Sequence, residues 1–506
     1  MYSTVCTAAL SGIRAFEVRV EADISTGMPS FDMLGNLAQE VREARERVRT
    51  ALHSCGIVLP PKKITVNLSP ANVKKYGTGF DLAIAVALLV GCGLADEAAC
   101  RDVLFVGELG LNGQILPVNG ILPIVSDGHC ASYVVPAANL QEAQLVPDAK
   151  VYGFSNLSDL MGYLNGKEYV APPEPAPVPE AEKPVDFAEV YGQTLLKRCC
   201  EIAAAGMHNL LIIGPPGAGK TMVSQRMSTI LPPMTKEEQL SVSKIYSVCG
   251  LLAQKASLIT ERPFRCPHHT ITQPALAGGG QVPRPGEVSL AHHGVLFLDE
   301  LPEFQKASLE VLRQPMENRE IVINRLNDSI TYPSDFLLLA SMNPCNCGYY
   351  PNMQKCRCTP GSIRRYLSKL SQPLLDRIDL CVEAPPLNYS EICASEPGES
   401  SAQIRKRVTQ CHEIQYERYC GEPFCHNSRI SAEKIRTYCA LGEKESHYME
   451  EMFTRLNMTA RSYHKVLRVA RTIADLDGQE QIRLRHLNEA VCYRTVDEKF
   501  WGGIMG

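Results

Sequence analysis

Residues 210–221 read LLIIGPPGAGKT, an apolar run that breaks into a glycine-rich turn ending in lysine and threonine. A strand buried on both faces of a parallel sheet is a short, continuous apolar run. Gly214–Thr221 follows such a run and fits G-x-x-x-x-G-K-[ST], the context that separates a phosphate loop from a chance match. Gly214, Pro215, Pro216, Gly217, Ala218 and Gly219 then form a turn whose backbone N–H groups wrap phosphates. Lys220 is placed to reach the β- and γ-phosphates of ATP, and the Thr221 hydroxyl to help hold Mg2+. The stretch predicts an α/β core built for nucleoside triphosphate chemistry.

Two more apolar strands extend the pattern. VLFLDE (Val295–Glu300) ends in two carboxylates about 80 residues after the phosphate loop, and a strand's C-terminal edge is where an α/β sheet presents its ligands. Asp299 is expected to position Mg2+ and Glu300 to polarise the attacking water. FLLLASMN ends at Asn343, whose amide is placed to orient that water, an arrangement similar to sensor 1 of AAA+ ATPases. Downstream, Arg377 in PLLDRIDL is a candidate finger for the γ-phosphate of a neighbouring subunit; the plain alternative is a surface salt bridge. Arg461 opens a helix-period segment and is the candidate sensor-2 arginine.

At 506 residues the chain suggests about three domains. A proline-rich stretch, Ala171–Val185, reads as an extended linker. Before it, β-like runs (KKITVNLSP, DVLFVGELG) mix with the helical pattern NLAQEVREARERVRTALHSCG, giving an α+β domain. After it, strands alternate with helices as in a parallel α/β sheet. From about Asn388 only helix-period sequence remains. The expected units are an α+β domain over 1–168, a linker over 169–185, a P-loop core over 186–390 and a helical lid over 391–506.

The net charge of −4 and pI near 6.3 argue against a basic nucleic-acid coat, yet leave room for a locally positive channel. No basic start with an apolar h-region opens the chain, and the longest apolar run, Leu82–Ala95, is shorter than the roughly 20 residues of a membrane span. A soluble, cytoplasmic protein with no membrane partner is expected. Scattered thiols in such a chain are more often buried hydrophobes or metal ligands than disulfides, so among 20 cysteines only a tight cluster carries an expectation. CNCGYYPNMQKCRC places Cys345, Cys347, Cys356 and Cys358 as two C-x-C pairs. They suit a structural Zn2+ site, or are four reduced thiols in a loop.

GPPGAGKT, RPFRCPHHT, GGGQVPRPGEVSLAHHGVLFLDELPEF, MNPCNCGY and PLLDRIDL, in this order, resemble the magnesium-chelatase-like AAA+ family of the YifB/ComM type, over nearly the whole chain. The resemblance implies an ATP-hydrolysing homo-hexameric ring. For the ComM branch it implies a DNA helicase that drives branch migration on single-stranded or branched DNA during natural transformation, in company with recombination proteins. The alternative is a motor that remodels a partner protein, as in magnesium chelatase. KKYGTGFDLAIAVALL and VGELGLNGQILPVNGIL resemble the proteolytic domain of Lon, a ribosomal S5 domain 2-like fold. Lon-type cleavage needs a serine and an activating lysine, and the aligned positions here are Gly79 and Leu122, so no protease is expected.

Two stretches have rival readings. Arg262–His293 mixes Arg262, Phe264, Arg265, His268, His269 and Arg284 with glycines, which suits a loop contacting phosphates and bases in a ring channel; an ordered loop at a subunit interface is the rival. Adjacent histidines at 268–269 and 292–293 are poor metal ligands for one ion. Along the helix from Arg461 to Leu476, Lys465, Arg468 and Arg471 form a basic stripe that is expected, apart from Arg461, to be solvated.

Overall fold

The computed structural model describes residues 1–173, 185–252, 257–280, 283–324, 329–386 and 398–501. Most of the expected linker, and residues 391–397 of the expected lid, lie outside them.

The N-terminal part is a seven-stranded mixed sheet in the order Ser30–Leu34, Lys63–Ser69, Arg14–Ser25, Tyr2–Ser11, Val103–Phe105, Ser132–Pro136, Val151–Phe154. The long hairpin Tyr2–Ser25 pairs antiparallel from Tyr2 opposite Asp23 to Ser11 opposite Arg14. Alternating residues such as Val18, Val20, Ala22 and Ile24 point into the core, as the period of two along a strand requires. The apolar run from Leu82 forms the helix Asp81–Gly91, buried along nearly its whole length. Asp81 is buried at its first turn and is matched by Arg47, whose guanidinium donates two bonds at 2.7 and 2.9 Å.

The central part is a five-stranded parallel sheet in the order Phe264–Arg265, Val295–Leu298, Leu337–Met342, Leu210–Ile213, Leu380–Glu383. Every residue of the three middle strands is buried, because helices cover both faces. Helix Thr194–Gly206 packs on one face with Cys199, Cys200 and Ala203–Ala205. Register places Ile213 beside Met342 and Leu298 beside Ala340. Gly214, Asp299 and Asn343 therefore emerge together at the same edge.

Residues 398–501 contain helices and no strand among the described residues, chiefly Ser401–Arg418, Glu443–Arg455, Ala460–Leu476 and Leu484–Trp501. The first begins with a capping box between Ser400 and Gln403, which satisfies two otherwise orphaned backbone donors. The basic stripe on Ala460–Leu476 is not solvated. Lys465 and Arg471 are only 4% and 3% exposed. Lys465 donates to the Ile378 carbonyl at 2.7 Å, Arg468 to that of Ile430, and Arg471 to Asp475 and the carbonyl of Glu480. Their long stems lie along apolar surface and their heads cap chain ends, so the stripe locks the helices to the sheet. No helix among the described residues is long and apolar enough to cross a membrane.

Candidate active site

The phosphate loop joins the strand Leu210–Ile213, between Leu337–Met342 and Leu380–Glu383, to the short helix Lys220–Gln225. Gly217 and Gly219 take φ of 75° and 79°, and a Cβ on either would meet nothing within 4 Å. Both conditions suit a loop whose backbone must face a ligand. Gly214 serves packing instead, since a Cβ there would lie 2.5 Å from the Ala384 carbonyl oxygen.

Lys220 is buried. Its ammonium donates to the carbonyls of Gly214 and Pro215 at 2.8 and 2.9 Å and to Asn343 Oδ1 at 3.1 Å. Burial lowers its pKa, while Asp299 and Glu300 oppose that shift. Thr221 Oγ1 donates to Asp299 Oδ2 at 2.8 Å, and Ser341 Oγ donates to Asp299 Oδ1. A hydroxyl and a carboxylate side by side at the mouth of a glycine cradle are a donor set that fits Mg2+, an oxygen-seeking ion. Glu300 has φ of 54°, donates its amide to Asp299 Oδ1 at 3.0 Å, and lies 3.6 Å from His269 Nδ1.

The structure thus brings together the loop Gly214–Thr221, Asp299, Glu300 and Asn343. Arg377 is elsewhere. Its guanidinium meets Glu317 at 2.5 Å and its backbone carbonyl accepts from Asn209, beside a cavity lined by Gln273, Glu310 and Arg313. Arg461, at the start of its helix, pairs with Asp376 at 3.3 Å and is 56% exposed. Neither arginine touches the phosphate loop of its own chain.

Three groups were missed by sequence reasoning. Ser341 had a signal, because it stands two residues before Asn343 on one strand and shares its face. Gln193 had none: with φ of 50° it ties the phosphate loop to the last strand by donating to the carbonyls of Ala218 and Pro385. The third is the hairpin Glu320–Asn324 with Ser329–Pro333, which alternating EIVIN and SITYP could have announced.

The Arg262–His293 stretch requires a correction. Arg262 donates to the carbonyls of Pro232 and His293 and to Glu238, and Arg265 makes a two-pronged pair with Glu287 at 2.6 and 2.7 Å. Phe264 stacks on Phe297 with centroids 6.0 Å apart. These groups are committed inside the fold because carboxylates distant in sequence neutralise them. Residues 281–282 lie outside the described residues; His268 and Arg284 are exposed.

Gly79 and Leu122 differ in setting. Gly79 borders a cavity of about 420 Å³ that Arg284, Ile330 and Tyr332 also line. Leu122 is fully buried among Met234, Val242, Leu252 and Ile259 of the central part. Its amide donates to Glu142 at 3.2 Å and to Ser247 at 3.3 Å, and Ser247 Oγ donates to Glu142.

The four cysteines lie on the loop after Asn343. Cys345 Sγ is 3.4 Å from Cys347 Sγ and 3.8 Å from Cys356 Sγ, which is 3.5 Å from Cys347 Sγ.

Family profiles match most of the chain. One described as magnesium chelatase, subunit ChlI, covers residues 186–392, one described as subunit ChlI of Mg-chelatase covers 20–139, and one for the subunit ChlI C-terminal region covers 398–494. Competence protein ComM of Haemophilus influenzae is 40% identical over 502 residues, covering 97% of both chains. Protein YifB of Salmonella typhimurium is 41% identical over 498 residues, again covering 97% of both. Lon protease 2 of Bacillus subtilis is 29% identical over 158 residues, 29% of this chain and 28% of that one, a partial likeness. The chain belongs to the YifB/ComM magnesium-chelatase-like family.

Proposed function

From that membership we propose that the chain is an ATP hydrolase that works as a hexameric ring on single-stranded or branched DNA, driving branch migration during recombination. The observation that carries the hydrolase reading is the convergence of Lys220, Thr221, Asp299, Ser341 and Asn343 at one sheet edge. The DNA reading is supported by the likeness to a competence protein.

In this mechanism the cradle amides and Lys220 bind and orient the triphosphate. Thr221 and Asp299 would hold Mg2+, which when bound would supply positive charge to offset that of the triphosphate. Ser341 fixes the Asp299 carboxylate, so its orientation costs no reorganisation during reaction. Asn343 holds the lytic water, and Glu300 accepts its proton as the water oxygen bonds to the γ-phosphorus and the bond from that phosphorus to the ADP oxygen breaks. His269 lies where it can hold Glu300 away from or release it to that water. Arg377 acts on the neighbouring subunit's nucleotide and Arg461 reports its state to the lid.

The test is the rate of phosphate release by purified protein with no DNA, with single-stranded DNA and with a three-stranded junction, beside Lys220→Ala. Acceleration by DNA, with the variant inert, is expected. Hydrolysis that no DNA form changes would overturn the DNA motor and leave the second reading, a motor that remodels a partner protein. That reading has its own support, since all three matched profiles carry a chelatase-subunit description.

A further inference from the structure

We infer that Cys345, Cys347, Cys356 and Cys358 bind one structural Zn2+, and that the metal cage braces the phosphate loop. The bracing half rests on the nucleotide reading above; the metal half does not.

The first argument is size. All four sulfurs lie within 4.8 Å of one another. With Zn–S bonds of about 2.3 Å, the edge of a regular tetrahedron of sulfurs is about 3.8 Å. The separations among Cys345, Cys347 and Cys356, 3.4, 3.5 and 3.8 Å, lie near that edge, and they are far too long for the roughly 2.05 Å of a disulfide bond. All four cysteines are free. A cage this tight suits a single ion, whereas a cluster of several irons needs its sulfurs spread further apart. Among the described residues this is the one grouping of cysteine, histidine and carboxylate side chains that could hold a metal ion.

The second argument is the surroundings. Thiolates on a metal are stabilised by backbone N–H donors. The Tyr350 amide donates to Cys345 at 3.4 Å, those of Tyr349 and Arg357 face Cys347, that of Cys358 faces Cys356 and that of Cys347 faces Cys358. Four thiolates and one Zn2+ leave a net charge of −2, and Lys355 and Arg357 flank the ligands to offset it.

The third argument is position. Gly348, inside the cage loop with φ of 83°, sits so close to the phosphate loop that a Cβ on it would lie 2.4 Å from Pro216 Cδ. Asn343, which accepts from Lys220, lies two residues before the first ligand. On the other side Tyr350 packs against Phe500, centroids 6.1 Å apart, at the end of the C-terminal helix. The loop has no helix or strand between Asn343 and Pro360, so four sulfur–metal bonds are what give it a fixed shape. Through it the phosphate loop, Asn343 and the last helix share one rigid joint.

The test is elemental analysis of the full-length protein after dialysis against a weak chelator, with thiol titration under the same conditions. One Zn2+ per chain is expected, four thiols protected until a strong chelator is added, and the visible absorption of tetrahedral cobalt–thiolate when Co2+ replaces zinc. No stoichiometric metal together with no cobalt spectrum overturns the site, and so does iron in place of zinc. For the brace, a nucleotide analogue is titrated into wild type before and after zinc is removed and restored, and into Cys347→Ser/Cys356→Ser. Metal removal is expected to weaken binding about tenfold, roughly 1.4 kcal/mol, with recovery on adding Zn2+. Because wild type is its own control, misfolding of the double variant does not decide the result. Unchanged affinity overturns the brace with the zinc intact. If wild type binds no nucleotide at all, the hydrolase reading fails and the metal count still stands.

Discussion

The phosphate loop and the Gly79–Leu122 region lie in neighbouring modules and show opposite uses of polar chemistry. In the first, charged groups from three strands meet at an open edge, held by one another: Lys220 by Asn343, Asp299 by Thr221 and Ser341. In the second, where the resemblance to Lon implies the places of a nucleophile and its base, the chain carries a glycine and a leucine, and the leucine is buried against the central part. One region keeps its donors aimed outward. The other holds an apolar contact between modules, and the difference teaches that a likeness in sequence does not by itself carry an activity.

Substitutions at four positions probe that contrast. The largest effect is expected at Asp299→Asn, which removes the charge that Thr221 and Ser341 hold in place. Phosphate release should fall about 10²–10³-fold, with the melting temperature unchanged; a fall below tenfold would break the view of this edge as a reaction centre. Leu122→Ala should do the reverse, costing about 2–3 kcal/mol of stability through the cavity left between the modules, read by calorimetry, while turnover per folded molecule stays as in wild type. If stability barely moves, Leu122 is not the seal.

Ser341→Ala should slow phosphate release about tenfold, near the low end for a hydrogen bond to a charged group, and Ser341→Thr should restore part of it. The smallest effect is expected at Glu142. Burial raises its pKa above 4.5, although Ser247, the Leu122 amide and Asn139 donate to it. A carboxyl whose folded pKa is raised contributes stability that is complete below its ordinary value and lost as pH rises through the raised one. Wild type should therefore lose stability between pH 4.5 and neutrality relative to Glu142→Gln, in thermal melts; parallel curves would remove the carboxyl from the adhesion.

Much of the nucleotide edge was legible because parallel strands announce themselves as apolar runs and their ends carry the ligands: LLIIG, VLFLDE and FLLLASMN each point to their own last residues. What spacing cannot give is pairing. Arg262 and Arg265 read as free cations because Glu238 and Glu287, which neutralise them, stand more than twenty residues away. Lys465 and Arg471 read as solvated because a helical stripe shows which residues share a side, and not that carbonyls lie within reach of that side. Leu122 read simply as a missing lysine, and only the fold shows what the leucine touches.

That leucine makes the two positions unequal. Restoring a serine at Gly79 asks little of the structure, since a Cβ there meets its nearest neighbour, Val106, at an ordinary 3.4 Å. Restoring a lysine at Leu122 would thrust an ammonium among Met234, Val242, Leu252 and Ile259, and the two modules would have to part to admit it. Of the two positions, one has room for a small polar side chain and the other is closed by the contact between modules.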